Sequence, residues 1–176
     1  MARAPLSLKA RAIGLLAQRE QSRLELRRKL LRIEQQQRAH RLAAQRGGAA
    51  EGGEPEPSAP DEDGQASGAA AVDALLDTLA AAGHLDESRF VESRVNQRAS
   101  RFGAQRIQQE LAQHGLKLDA EQQASLRETE LERARDVWVR RFGPEPATEA
   151  PERARQARFL LGRGFAPDLV RRLLKA

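Results

Sequence analysis

The chain of 176 residues contains no cysteine and no tyrosine, and only five phenylalanines and one tryptophan. Without cysteine it can form neither a disulfide framework nor a thiolate-ligated zinc site. Three isolated histidines, His40, His84 and His114, show no metal-ligand spacing. No apolar run approaches the roughly 20 residues that span a bilayer, and no signal-like apolar region follows Met1. A reduced, cytoplasmic protein with no membrane partner is therefore expected. Parts for catalysis are also scarce. The serines and histidines form no nucleophile–base motif, and no glycine-rich phosphate loop precedes a helix. Of the paired carboxylates, Asp86–Glu87 reads as helix-start chemistry, while Asp61–Glu62 falls in a segment of low complexity. No catalytic residue, metal or cofactor is expected.

What is present is arginine. The chain holds 26 arginines against 4 lysines, a bias suited to bidentate contact with phosphate or carboxylate. The charge is unevenly spread. Residues 1–46 carry 12 basic and 3 acidic side chains, residues 47–83 carry 8 acidic and none basic, and residues 84–176 carry 18 basic and 14 acidic. Only the first segment leans strongly towards anionic partners. Between Gly47 and Ala70 lie six glycines, three prolines and six acids. Such a stretch buries too little apolar area to offset its conformational entropy, so 47–70 is expected to be disordered. As a flexible coil its ends would stand about 25–30 Å apart.

The rest reads as about nine helices, and no stretch alternates as a strand would. Ser7 opens the first helix, which buries Leu8, Ala12, Leu15 and Leu16. Ser22 and Glu25 form a capping-box pattern before a helix with Leu26, Leu30 and Ile33 on one face, continuing towards Arg46. Val72, Leu75, Leu76 and Leu79 mark a third helix that stops at Gly83. Asp86 caps a fourth, whose stripe is Val91, Val95, Ala99 and Phe102. Gly103 is expected to end it in the left-handed cap conformation, and Ala104, Ile107 and Leu111 lead to a second stop at Gly115. Asp119 with Gln122 starts the sixth helix, and Leu131, Ala134, Trp138 and Phe142 line the seventh. Pro151 begins the eighth, with Ala154, Ala157 and Leu161 as its stripe. Pro167 begins the ninth, with Val170, Leu173 and Leu174. Phe90, Phe102, Trp138, Phe142 and Phe159 are expected to be packing residues.

These elements repeat. Arg101–Gly103 recurs as Arg141–Gly143, and Leu111, His114, Gly115 and Asp119 share their spacing with Leu160, Arg163, Gly164 and Asp168. Ser22–Leu30 fits Gly103–Leu111 in the same way. Three three-helix units follow, at residues 1–83 (containing the insertion 47–70), 84–127 and 128–176. Each is small for an independent core, so neighbours should bury one another's apolar edges.

Three stretches, QREQSRLELRRKL, GHLDESRFVESRVNQRASRFGAQRIQQELAQHGL and RARQARFLLGRGFAPDLVRRLL, together resemble the RecX family of bacterial regulatory proteins. The 47–70 insertion departs from that pattern, which has a short connection there. The resemblance implies an elongated, curved stack of helical repeats. It further implies a non-enzymatic partner of the RecA recombinase filament that inhibits strand exchange, ATP hydrolysis and co-protease activity in DNA repair and recombination. A monomer is expected, with weak, salt-sensitive contact to single- or double-stranded DNA as an accessory. The competing reading is a helix-turn-helix-like protein acting directly on DNA, since arginine is the commonest reader of guanine edges. On either reading the candidate contact residues are basic positions on outer faces. They are Arg23, Arg27 and Arg28 in the first unit, Arg98, Arg101 and Arg106 in the second, and Arg155, Arg158 and Arg163 in the third.

Overall fold

A computed structural model describes residues 6–47, 62–145 and 147–175. Among these residues the regular structure is entirely helical. The elements are α1 (Leu8–Gln18), α2 (Arg23–Gly47), α3 (Glu62–Ala81), α4 (Glu87–Ala99), α5 (Ala104–Ala112), α6 (Ala120–Glu128), α7 (Glu130–Phe142), α8 (Ala150–Gly162) and α9 (Pro167–Lys175). They form two compact units, residues 1–87 and 88–176.

In the first unit Ser7 caps α1 by accepting from the Ala10 N–H at 3.2 Å, and the Ser22 hydroxyl accepts from the Glu25 N–H at 3.1 Å. Between the two helices Gln21 is buried. Its amide donates to the Leu15 carbonyl at 2.8 Å and accepts from Lys29 Nζ at 2.9 Å, which closes the corner. Ala12, Leu26, Leu30, Val72, Leu76, Leu79 and Leu85 make the core. Helices α2 and α3 run antiparallel. Arg23 meets Asp77 at 2.7 Å and Arg27 meets Asp73 at 2.6 and 2.9 Å, while further along α2 Glu34 faces Gly68 and Arg38 faces Gly64.

This packing corrects the reading of 47–70. Its first part, residues 48–61, lies outside the described residues, but Glu62 to Ala70 is helix, so α3 starts ten residues before Val72. The reason is steric and tertiary. A Cβ at Gly68 would stand 2.6 Å from Glu34 Oε2, and one at Gly64 would overlap the Arg38 guanidinium. The two glycines, one helical turn apart, let α3 approach α2, and the alanines around them favour helix intrinsically.

Glu25 closes this unit electrostatically. Burial raises its carboxyl pKa, but hydrogen bonds from Arg19 and Lys29 outweigh that and bring it from 4.5 down to about 2. A depressed carboxyl stabilises the fold above its unfolded pKa and loses that contribution as pH falls towards the folded value. Between about pH 5 and 2 the first unit should therefore lose up to ~1 kcal/mol through this group, the partly exposed pair being screened by solvent. The acid limb of an unfolding titration should flatten by that amount in Glu25→Gln, and an unchanged limb would refute the assignment.

The second unit has two apolar clusters. Phe90, Val91, Ala104, Ile107, Leu111 and Leu126 come from α4 to α6. Ala134, Val137, Trp138, Leu160, Phe165, Leu169, Val170 and Leu173 come from α7 to α9. Both α5 and α8 end in the same way. The Leu116 N–H donates to the Leu111 carbonyl at 3.0 Å across Gly115, and the Phe165 N–H to the Leu160 carbonyl at 3.3 Å across Gly164. The two glycines have φ of 75° and 81°, the left-handed conformation that only glycine adopts freely. Asp119 and Gln122, expected to start α6, do so through a reciprocal capping box.

The stripe expected on α8 is rotated. Ala154 and Leu161 are exposed, and Gln156 and Leu160 are buried instead. A polar residue hides the pattern, because the Gln156 Oε1 accepts from the buried Trp138 indole N–H at 2.9 Å. Satisfied in this way, glutamine can occupy a core position.

Candidate anion-binding interface

The expected left-handed stop at Gly103 is also corrected. Its φ and ψ are −76° and 168°, ordinary extended backbone. Glycine is needed here for space. A Cβ would stand 2.2 Å from the Gly164 carbonyl oxygen and 2.4 Å from the Phe165 nitrogen. Two backbone hydrogen bonds exploit the close approach, from Gly103 N–H to the Arg163 carbonyl at 2.9 Å and from Gln105 N–H to the Gly164 carbonyl at 3.2 Å. The α4–α5 corner is thereby locked to the end of α8.

Two side chains from α7 reinforce the corner. Glu130, only 5 % exposed, accepts from the Ala104 N–H at 2.9 Å, supplying to α5 the capping acceptor that Gly103 lacks. The Arg133 guanidinium donates to the carbonyls of Ala99 (3.0 Å), Phe102 (2.9 Å) and Leu126 (2.6 Å), satisfying the ends of α4 and α6. Burial pushes the Arg133 pKa down, and the adjacent Glu130 carboxylate opposes this.

On this frame arginines gather around one aromatic ring. Arg106 lies 5.0 Å from the Phe102 ring centroid, Arg98 5.5 Å, and Arg101 and Arg163 each 5.8 Å. At such distances a guanidinium is attracted by the negative face of the ring, which offsets part of the repulsion among like charges. Glu110 pairs with Arg98 at 2.9 Å and with Arg106 at 3.8 Å. Arg163 also lies 4.6 Å from the Phe159 ring and donates to the Arg101 carbonyl at 3.1 Å. Beyond it, Ser100, Arg101, Val137, Arg140, Arg141, Phe159 and Arg163 line a solvent-open cavity of about 200 Å³.

The structure thus brings together Arg98, Arg101, Arg106 and Arg163 of the nine arginines selected from sequence. Of the others in this unit, Arg155 faces Glu152 at 3.4 Å, and Arg158 is exposed without lining the cavity. In the first unit Arg28 is exposed on α2, while Arg23 and Arg27 are engaged by α3. The Arg27 hydrogen bonds hold the Asp73 carboxyl below its ordinary range, and Asp73 raises the Arg27 pKa in turn. Arg140 and Arg141 were not selected. Their signal was present, since Arg141 occupies in the second Arg-Phe-Gly copy the place that Arg101 has in the first. For Glu130 and Arg133 the sequence carried no signal beyond ordinary helix-surface charge.

Paired three-helix groups define the class: an all-helical tandem-repeat protein, here with an arginine-rich face. Comparison with known proteins places it further. Residues 86–124 match the second three-helix domain of RecX and residues 128–174 the third. The chain is 45 % identical over 175 residues to the regulatory protein RecX of Leptothrix cholodnii, covering 98 % of this chain and 90 % of the relative. It is 43 % identical to that of Ralstonia nicotianae (98 % and 89 %) and 41 % identical to that of Herminiimonas arsenicoxydans (100 % and 96 %). The chain belongs to the RecX family of regulatory proteins.

Proposed function

We propose that this protein binds the filament of the RecA recombinase on DNA and inhibits its strand exchange, ATP hydrolysis and co-protease activity, catalysing no reaction itself. The reading rests on family membership over nearly the whole chain. The observation that supports a binding role is the arginine cluster at Phe102, held by backbone hydrogen bonds and buried side chains rather than by flexible loops. Rigid placement lowers the entropic cost of binding. A cytoplasmic monomer fits this role.

The test is affinity and rate together. At physiological salt the protein should bind RecA on single-stranded DNA at least tenfold more tightly than bare DNA and should slow the filament's ATPase. Equal affinity for bare DNA with an unaffected ATPase would reject the proposal in favour of a protein acting directly on DNA. Arg101→Glu with Arg106→Glu should weaken inhibition at least tenfold while leaving the helical signal unchanged. The first unit is a poorer place for such reversals, because Glu at 23 or 27 would face Asp77 or Asp73.

A further inference from the structure

We propose that the cavity between the end of α4, α7 and α8 seats a backbone phosphate of a nucleic acid strand, held by Arg101, Arg140, Arg141 and Arg163 and read without regard to base. This goes beyond the proposed function, which does not require the protein to touch nucleic acid itself. Among the described residues none of these four arginines has an ion-pair partner, and no acidic side chain lines the cavity. Its floor is apolar, formed by Val137 and Phe159. Several unneutralised guanidiniums at one mouth repel one another, and a doubly hydrogen-bonding oxyanion relieves this most effectively.

Size decides what kind of anion enters. At about 200 Å³ the cavity is smaller than the roughly 300–1,000 Å³ that encloses a free small molecule, and it is open to solvent. It suits one group of a longer polymer. The charge continues outward in a strip, because Arg163 reaches both Phe159 and Phe102, and beyond Phe102 Arg98 and Arg106 share the single carboxylate of Glu110, which leaves a net positive charge there. A strip of cations matches the regular charge of a phosphodiester chain better than the irregular carboxylates of a peptide. The same geometry excludes base reading. Base-stacking sites need an open aromatic face, whereas guanidiniums occupy the surroundings of Phe102 and one lies over Phe159. What remains is backbone contact, which positions a strand and carries no sequence information.

The experiment titrates the full chain, without recombinase, into fluorescent oligonucleotides of thymidine and of mixed sequence, single-stranded and duplex, over a salt series. Single strands should bind alike whatever their sequence, with log affinity falling against log salt at a slope of about −0.7 for the seated phosphate and about −0.7 more for each neighbouring phosphate that reaches Arg98 or Arg106, between about −0.7 and −2 in all. Duplex should give a slope about a quarter steeper if it uses the same contacts. Arg140→Glu with Arg141→Glu, both exposed, should lose at least tenfold in affinity and flatten the slope by about 0.7, the share of the seated phosphate, with Arg→Lys at both positions keeping most of the binding. Arg155→Glu with Arg158→Glu should change little. An equal loss in that control, displacement of the oligonucleotide by polyglutamate at matched charge, or no binding at low salt would each overturn the inference. A wild-type protein that slows the recombinase ATPase but ignores oligonucleotides would sink this site and leave the proposed function standing. One that binds oligonucleotides but spares the ATPase would do the reverse.

Discussion

Gly103→Ala is expected to destabilise the second unit by about 3 kcal/mol, the upper end for a single overpacking substitution. The added Cβ would stand 2.2 Å from the Gly164 oxygen, 2.3 Å from the Gly164 carbon and 2.4 Å from the Phe165 nitrogen, all of them backbone atoms that cannot rotate away. Relief requires the α4–α5 corner to separate from the α8–α9 turn. Separation breaks the hydrogen bonds from Gly103 and Gln105 to the Arg163 and Gly164 carbonyls, each worth about 0.5–1.5 kcal/mol net. Denaturant unfolding should show the loss, and hydrogen exchange should show it first at the Gly103 and Gln105 amides. Gly162→Ala is the control. It sits in a helix with nothing within 4 Å of its would-be Cβ, so alanine there should be neutral or stabilising by about 0.5–1 kcal/mol. If Gly103→Ala unfolded at the wild-type midpoint, the close approach of these two turns would be wrong.

The contrast between Gly103 and its neighbours separates what the sequence reveals from what it conceals. Gly115 and Gly164 were legible as left-handed stops because a helix end is a local event, written in the residues on either side of it. The same holds for Ser7, for Asp119 with Gln122, and for the stripe of α7. Gly103 reads identically, yet its reason lies 61 residues away at Gly164, and no local pattern distinguishes a glycine kept for its conformation from one kept for its size. The early start of α3 is hidden in the same way. Gly64 and Gly68 suggest a flexible linker until α2 is placed beside them. Gln156 misled for the complementary reason, since a polar residue in an apolar stripe makes sense only once the Trp138 indole is its partner.

The candidate interface divides along the same line. Arginine content and the Arg-Phe-Gly repeat pointed to Arg101 and its surroundings, but surface charge alone does not reveal which cations are already engaged. Arg23 and Arg27 were indistinguishable in sequence from Arg101 and Arg106. The acidic residues that occupy them, Asp77 and Asp73, lie about fifty residues downstream on a helix whose approach depends on glycine. Arg133 is the extreme case: an arginine on a charged helix face whose guanidinium donates to three part-buried carbonyls of other segments.

Arg133→Met should therefore cost about 3 kcal/mol, comparable with Gly103→Ala, though by a different route. Methionine keeps much of the apolar stem but leaves the Ala99, Phe102 and Leu126 carbonyls without their donor. Hydrogen bonds to a charged donor contribute about 1.5–3 kcal/mol each. The three do not sum, because the side chain is only half-buried and water can reach part of the space it leaves. Glu130→Ala should cost about 1–2 kcal/mol, the usual range for losing a helix cap, and Glu130→Gln should recover most of that, since an amide oxygen can still accept from the Ala104 N–H. Both side chains hold one corner, so the double variant Glu130→Ala/Arg133→Met should fall short of the sum by at least about 0.5 kcal/mol. Full additivity would mean that the two act separately. The functional consequence follows from position. Phe102 gives its carbonyl to Arg133 and its ring to four arginines, so loosening the first displaces the second. Well below its unfolding midpoint, Arg133→Met should bind anionic partners severalfold more weakly although every surface arginine of the cluster remains. Unchanged binding would show that the cluster does not depend on the buried clamp.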